Sequence, residues 1–238
     1  TASGGGQADT LIKNFKAKGF DGIRNLMTQT GTPASVQPVA VQTEQGPAVD
    51  PLAEIKSLIS QGNYSGAYNK LKPMLQSDPN NVDKLNLMGI LHVEFGLYQA
   101  SNGYFQKALG IQKAKFGDNH VATAQCYNNI ASVSVILGDY QQALNTLQKV
   151  FNVYKAKLSA NDPELATAYS NIGMTYHYMG KNDKAIENLE KALAIRKEAL
   201  GEGDPVTIAT MINIANVYIV TDKNEDAMNM LNKALETA

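Results

Sequence analysis

Tryptophan is absent from this chain, cysteine occurs once, and arginine only twice, at Arg24 and Arg196. A lone cysteine, Cys126, excludes an internal disulfide, and its place in an apolar helical stretch predicts a small buried hydrophobe. Scarce arginine removes the side chain best suited to bidentate phosphate and base recognition. The formal net charge of −1 adds no field to attract a polyanion, so no nucleic-acid partner is expected. No apolar run approaches the roughly 18 residues of a membrane span, so direct membrane insertion is not expected either. The three histidines, His92, His120 and His177, fall without metal-ligand spacing, and no convergent nucleophile and base is visible. No metal, cofactor or enzymatic activity is therefore expected. An intracellular, cytoplasmic protein is expected, with a cytoskeletal, ciliary or organellar place left open.

What the chain does have is repetition. Asn129-Ile130-Ala131, Asn171-Ile172-Gly173 and Asn213-Ile214-Ala215 follow one another at intervals of 42 residues, a period that marks a stacked-repeat architecture. Other columns hold the same register. Gly96, Gly138 and Gly180 mark turns; small residues follow at Ser101, Ala143, Ala185 and Ala227, and bulky ones at Phe105, Leu147, Leu189 and Leu231. Stepping back 34 residues from Gly96 reaches Gly62, with Ala67 and Leu71 in the matching places, which makes five copies. Between glycines the apolar residues recur at helical spacing, so each copy predicts two helices. The small residues at Gly89, Ala131, Gly173 and Ala215 predict close packing of the first helix on the second. A turn glycine or asparagine is expected to end each first helix in the left-handed conformation. Asp78-Pro79, Asp162-Pro163 and Asp204-Pro205 punctuate the far ends. Pro73, inside the second helix of the first copy, predicts a bend or early loosening.

This pattern resembles the tetratricopeptide repeat family over roughly residues 51 to 238, and its 42-residue form resembles the repeats of kinesin light chains. The resemblance implies an all-α fold, a right-handed α-solenoid of about five helix-turn-helix repeats whose first helices line a concave groove for a peptide or helix. In the family, asparagines in the positions of Asn129, Asn171 and Asn213 bond a bound peptide's backbone; here they could equally stabilise the neighbouring repeat. The family's chaperone-binding members grip a carboxylate with basic side chains. The matching positions here, Asn128, Thr167, Ala209 and Asn213, are not basic, so such a clamp is not expected.

Helical spacing places Asp83, Asn86, Ile90 and Glu94 on the inner wall, followed by Gln125, Asn128, Asn129, Ser132 and Ile136. The fourth repeat adds Ser170, Asn171, Met174 and Tyr178, and the fifth Ile212, Asn213, Asn216, Ile219 and Val220. This lining is neutral and partly apolar. Residues 1–50 read as a glycine-rich tail, a short amphipathic helix over Ala8 to Gln29 broken near Gly19, and a linker rich in Pro, Gln and Thr; residues 51–238 form the solenoid. The helix could cap the first repeat, dock in the protein's own groove or bind a partner. The expected function is a non-enzymatic scaffold holding a protein partner. The alternative is a structural subunit of a larger multi-subunit assembly, ciliary, motor or organellar. No polar capping helix is seen up to Ala238, so either the native protein is expected to continue or the end face to be covered by another chain, and the second would favour that alternative.

Overall fold

The computed structural model describes residues 50–237, and the helix and linker expected within residues 1–49 lie outside them. Among the described residues there are ten helices and no strand, arranged as five hairpins. The hairpins are α1 (Ala53–Ser60) with α2 (Tyr64–Ser77), α3 (Val82–Glu94) with α4 (Tyr98–Phe116), and α5 (Val121–Ile136) with α6 (Tyr140–Lys157). They continue with α7 (Pro163–Tyr178) and α8 (Asn182–Leu200), then α9 (Pro205–Val220) and α10 (Asn224–Glu236). Each helix packs on its hairpin mate and on the next helix in the chain. From α3 onward consecutive first helices also touch one another, whereas consecutive second helices approach less closely. The array therefore curves with α3, α5, α7 and α9 on its inner side.

The hairpin turns repeat one hydrogen-bond solution. The residue after the left-handed turn position donates its N–H to the carbonyl five residues before it: Asn63 to Leu58, Leu97 to His92, Asp139 to Ser134, Lys181 to Tyr176 and Lys223 to Tyr218, all at 2.8–2.9 Å. Closing a helix this way requires a left-handed residue. Gly138 adopts φ 86° and Gly180 φ 74°, as the spacing predicts. In the last repeat the residue is neither glycine nor asparagine but Asp222, at φ 57°, the positive-φ non-glycine among the described residues. A short polar side chain tolerates that region better than a branched one.

The other ends are capped by side chains. Asn81, Asp162 and Asp204 accept from the backbone of α3, α7 and α9, and His120 Nδ1 accepts from Ala122 N at 3.1 Å. Pro163 and Pro205 sit in the first turn, where a missing N–H is harmless. Asp78-Pro79 differs, since Asp78 closes α2 and Asn81 opens α3. The loosening expected at Pro73 does not occur: α2 runs on to Ser77.

Small residues set the distance within each hairpin. A Cβ on Gly89 would collide with the Phe105 ring, and one on Gly173 would lie 2.9 Å from Leu189 Cγ and 3.0 Å from the Ala185 carbonyl. Phe105, Leu147 and Leu189 are fully buried in the room this leaves. Each such side chain contributes about 1.5–3 kcal/mol of transfer free energy. Cys126 is buried among these groups, and burial pushes its thiol up to about 12, so it packs as a hydrophobe and not as a nucleophile.

Candidate interaction groove

From α5 onward the inner helices carry less charge than the outer ones, whereas α3 keeps Asp83, Lys84 and Glu94. Helices α5 and α9 contain no charged residue, and α7 carries Glu164 as its one carboxylate, whereas α8 carries eight charged residues among its nineteen. A helix whose outward face meets bulk water normally keeps charge there. From α5 to α9 the inner wall instead presents amides, hydroxyls and apolar groups.

The asparagines of that wall bond each other across repeats. Asn129 Nδ2 donates to Asn86 Oδ1 at 3.4 Å, and Asn171 Nδ2 donates to Asn128 Oδ1 at 2.8 Å. Partners lie 43 residues apart, so each pair joins two adjacent columns of the repeat. The series stops at the next seam. Ser170 stands where Asn86 and Asn128 stand in earlier repeats, and its hydroxyl does not reach the amide of Asn213. Ser170 Oγ and both amide atoms of Asn213 are buried without a hydrogen-bond partner.

Another group holds that seam. Arg196, on α8, is 1% exposed and projects into the interface between α7 and α9. Its guanidinium donates to Thr210 Oγ1 at 2.6 Å, Thr167 Oγ1 at 3.2 Å and the Val206 carbonyl at 3.5 Å. No carboxylate among the described residues pairs with it directly. Burial lowers its pKa to about 10, against the opposing fields of Asp204 and Glu164. One repeat earlier the same column is Tyr154, also fully buried, beside Glu164. Burial pushes the Glu164 carboxyl up, while a hydrogen bond from Gln125 (3.4 Å) pulls it down.

Of the inner-wall residues picked out by spacing, Asn128, Ser132, Met174, Asn213 and Ile219 are buried and form the floor. Asn86, Asn129, Asn171, Tyr178 and Asn216 are half-buried, and Val220 is 54% exposed at the last turn. Tyr178 stacks on Tyr140 at 6.0 Å between ring centroids, and burial raises its hydroxyl to about 12. The histidines are spent structurally. His92 is buried, with Nδ1 2.8 Å from the Met88 carbonyl, and His177 Nδ1 lies 3.0 Å from Asn182 Oδ1. Sequence reasoning missed Arg196, whose only signal was its rarity and its column shared with Tyr154.

Paired helices stacked in register around a concave inner wall define a helical-repeat protein. The tetratricopeptide repeat family model matches residues 82–156 and 164–238, well over half of the chain, and the chain belongs to that family. Its first hairpin lies outside the matched residues and keeps the same turn. Among solved structures, the chain is similar to TTC0263, a thermophilic repeat protein of Thermus thermophilus, at 21% identity and TM-score 0.63, covering 79% of this chain and 90% of that one. It is also similar to the nearly identical repeats of a kinesin light chain from Podosopora anserina, at 16% identity and TM-score 0.59, covering 79% and 92%. A Rap protein solved in complex with competence and sporulation factor superposes with TM-score 0.68 at 18% identity, covering 78% of this chain and 52% of the Rap protein. Comparison with curated proteins gives no match. No helix among the described residues is long and apolar enough to cross a membrane.

Proposed function

We propose that the chain is a non-enzymatic scaffold that holds a protein segment, a short apolar helix or an uncharged extended stretch, in its concave groove. The observation that carries this reading is the near absence of charge from α5, α7 and α9. Along these three helices the one carboxylate, Glu164, already accepts from Gln125, so an uncharged segment can dock there without the cost of desolvating an unpaired ion. The half-buried amides of Asn129 and Asn171, together with Asn216, can donate and accept toward a backbone whatever side chains it carries.

Asn216→Arg with Val220→Asp places charge in that wall without touching the amide pairs. Capture from lysate, read by mass spectrometry, should lose its specific partner while the helical circular dichroism and melting temperature stay close to wild type. Unchanged capture would remove the groove from the account.

The second reading, a permanent subunit of a larger assembly, draws on a different surface. Phe95, Leu97 and Leu137 stand 39–51% exposed on neighbouring hairpin turns along one edge of the array. Sizing of the isolated chain separates the two: a stable, well-behaved monomer favours the groove scaffold, and concentration-dependent association through that edge favours the subunit.

A further inference from the structure

The outer face is not uniform. Between α4 and α6 it opens into a cleft of about 640 Å³, floored by Ala124, Val150 and Val153. A second recess of about 490 Å³ adjoins it, sharing Asp118, Asn119 and Lys157. One repeat later the corresponding positions are bridged by side chains. There Phe151 packs edge-on against Tyr169 at 4.9 Å, and Asn161 Nδ2 donates to Glu198 Oε1 at 2.6 Å. In the open cleft the residue in the Phe151 column is Leu109, which is buried in the core, and Tyr127 turns its hydroxyl to Asp118 Oδ1 at 2.9 Å.

Charge accompanies the opening. Lys113, Lys149 and Lys157 line the cleft against a single carboxylate, Asp118. Asp118 is engaged by Lys113 Nζ at 2.9 Å, and this bond, with that from Tyr127, holds its carboxyl below the usual carboxylate range. Lys149 and Lys157 have no ion-pair partner among the described residues. The cleft thus holds two unneutralised cations over an apolar floor, on a chain of net charge −1.

We infer that this cleft is a second docking site, separate from the concave groove, for an acidic protein segment. The spacing of its cations defines the segment. Lys149 and Lys157 are eight residues apart on α6, a rise of about 12 Å at ~1.5 Å per residue. An extended chain covers that distance in about four residues, at ~3.3 Å each. The matching segment carries two carboxylates about four residues apart, with an apolar side chain between them to meet Val150 and Val153. Charge-assisted bonds to the two lysines supply the grip.

The test uses the full chain and a fluorescein-labelled peptide, Gly-Glu-Ser-Leu-Ser-Glu-Gly, read by fluorescence anisotropy. Binding is expected at low salt, weakening as ionic strength rises, and a peptide with glutamine in place of both glutamates should not bind. Lys149→Glu with Lys157→Glu should weaken binding at least about tenfold, since it reverses both attractive contacts. Lys72→Glu with Lys181→Glu, the same change of net charge at exposed lysines outside the cleft, should change it less than about twofold. The single variants Lys149→Gln and Lys157→Gln, which only neutralise, should each give a partial loss with an unchanged melting temperature. Equal weakening by both double variants, or no weakening by either, would overturn the proposal. So would binding of a single-stranded oligonucleotide of equal charge at the cleft when the peptide does not bind.

Discussion

Two neighbouring seams of the inner wall, built on the same backbone register, are closed by different chemistry. Between α5 and α7 neutral amides do the work: Asn171 bonds Asn128, and Gln125 bonds Glu164 beside the buried Tyr154. Between α7 and α9 the amide of Asn213 has no partner, and the guanidinium of Arg196 bridges Thr167 to Thr210. A solenoid repeats its backbone more faithfully than its side-chain bonds. Each seam needs some polar group to cross it, and which group does so is settled locally.

The largest expected effect sharpens that contrast. Arg196→Ala opens a cavity and removes the donor that bridges Thr167 to Thr210, whose hydroxyls keep the carbonyls of Pro163 and Val206, and should cost about 2–4 kcal/mol in urea unfolding. Tyr154→Phe at the earlier seam removes a hydroxyl but no packing, and should cost less than about 1 kcal/mol. Equal losses would mean that the Arg196 side chain, bonds and volume together, is worth no more to its seam than the Tyr154 hydroxyl is to the other. Next in size is Gly173→Ala, where the new Cβ presses on Leu189 and on backbone: a loss of about 1–3 kcal/mol is expected in thermal melts. Gly110, also helical but with nothing within 4 Å of a new Cβ, should instead gain about 0.5–1 kcal/mol on change to alanine.

The amides come third. Asn171→Leu leaves Asn128 Oδ1 buried and unpaired and should cost about 1–3 kcal/mol, whereas Asn213→Leu should be neutral or stabilising, because it removes a polar group that has no partner to lose. Parallel urea titrations decide this, and a matching loss at Asn213 would show that its amide is satisfied by something in solution.

The smallest effect is in pH. Glu164 binds its proton more tightly when folded than in the unfolded chain, where its value is about 4.5. The native state therefore holds more protons in the window just above that value. Stability gained from this group rises as pH falls through the raised folded value and is lost as pH climbs above it. Comparing wild type with Glu164→Gln from about pH 7 to about pH 4.5 should show the difference shift toward wild type on acidification, and a difference independent of pH would contradict it.

Columns of small and large residues made the hairpins legible, because burial at fixed spacing leaves a periodic trace in sequence. Gly138 and Gly180 were legible for the same reason, and Asp222 was not, since only its place in the turn shows that it replaces glycine. The amide pairs escaped a reading by columns. Asn171 bonds Asn128 and not Asn129, so the pairs step between columns, and a 42-residue comparison aligns residues that do not touch. Arg196 and the lysine cleft depend on distances between helices that no local pattern encodes.

Amide hydrogen exchange of the chain, alone and with its captured partner, tests the groove most directly. The account predicts added protection along α5, α7 and α9, with the hairpin turns unchanged. Protection confined to the outer helices or to the turns around Phe95 and Leu137 would contradict it.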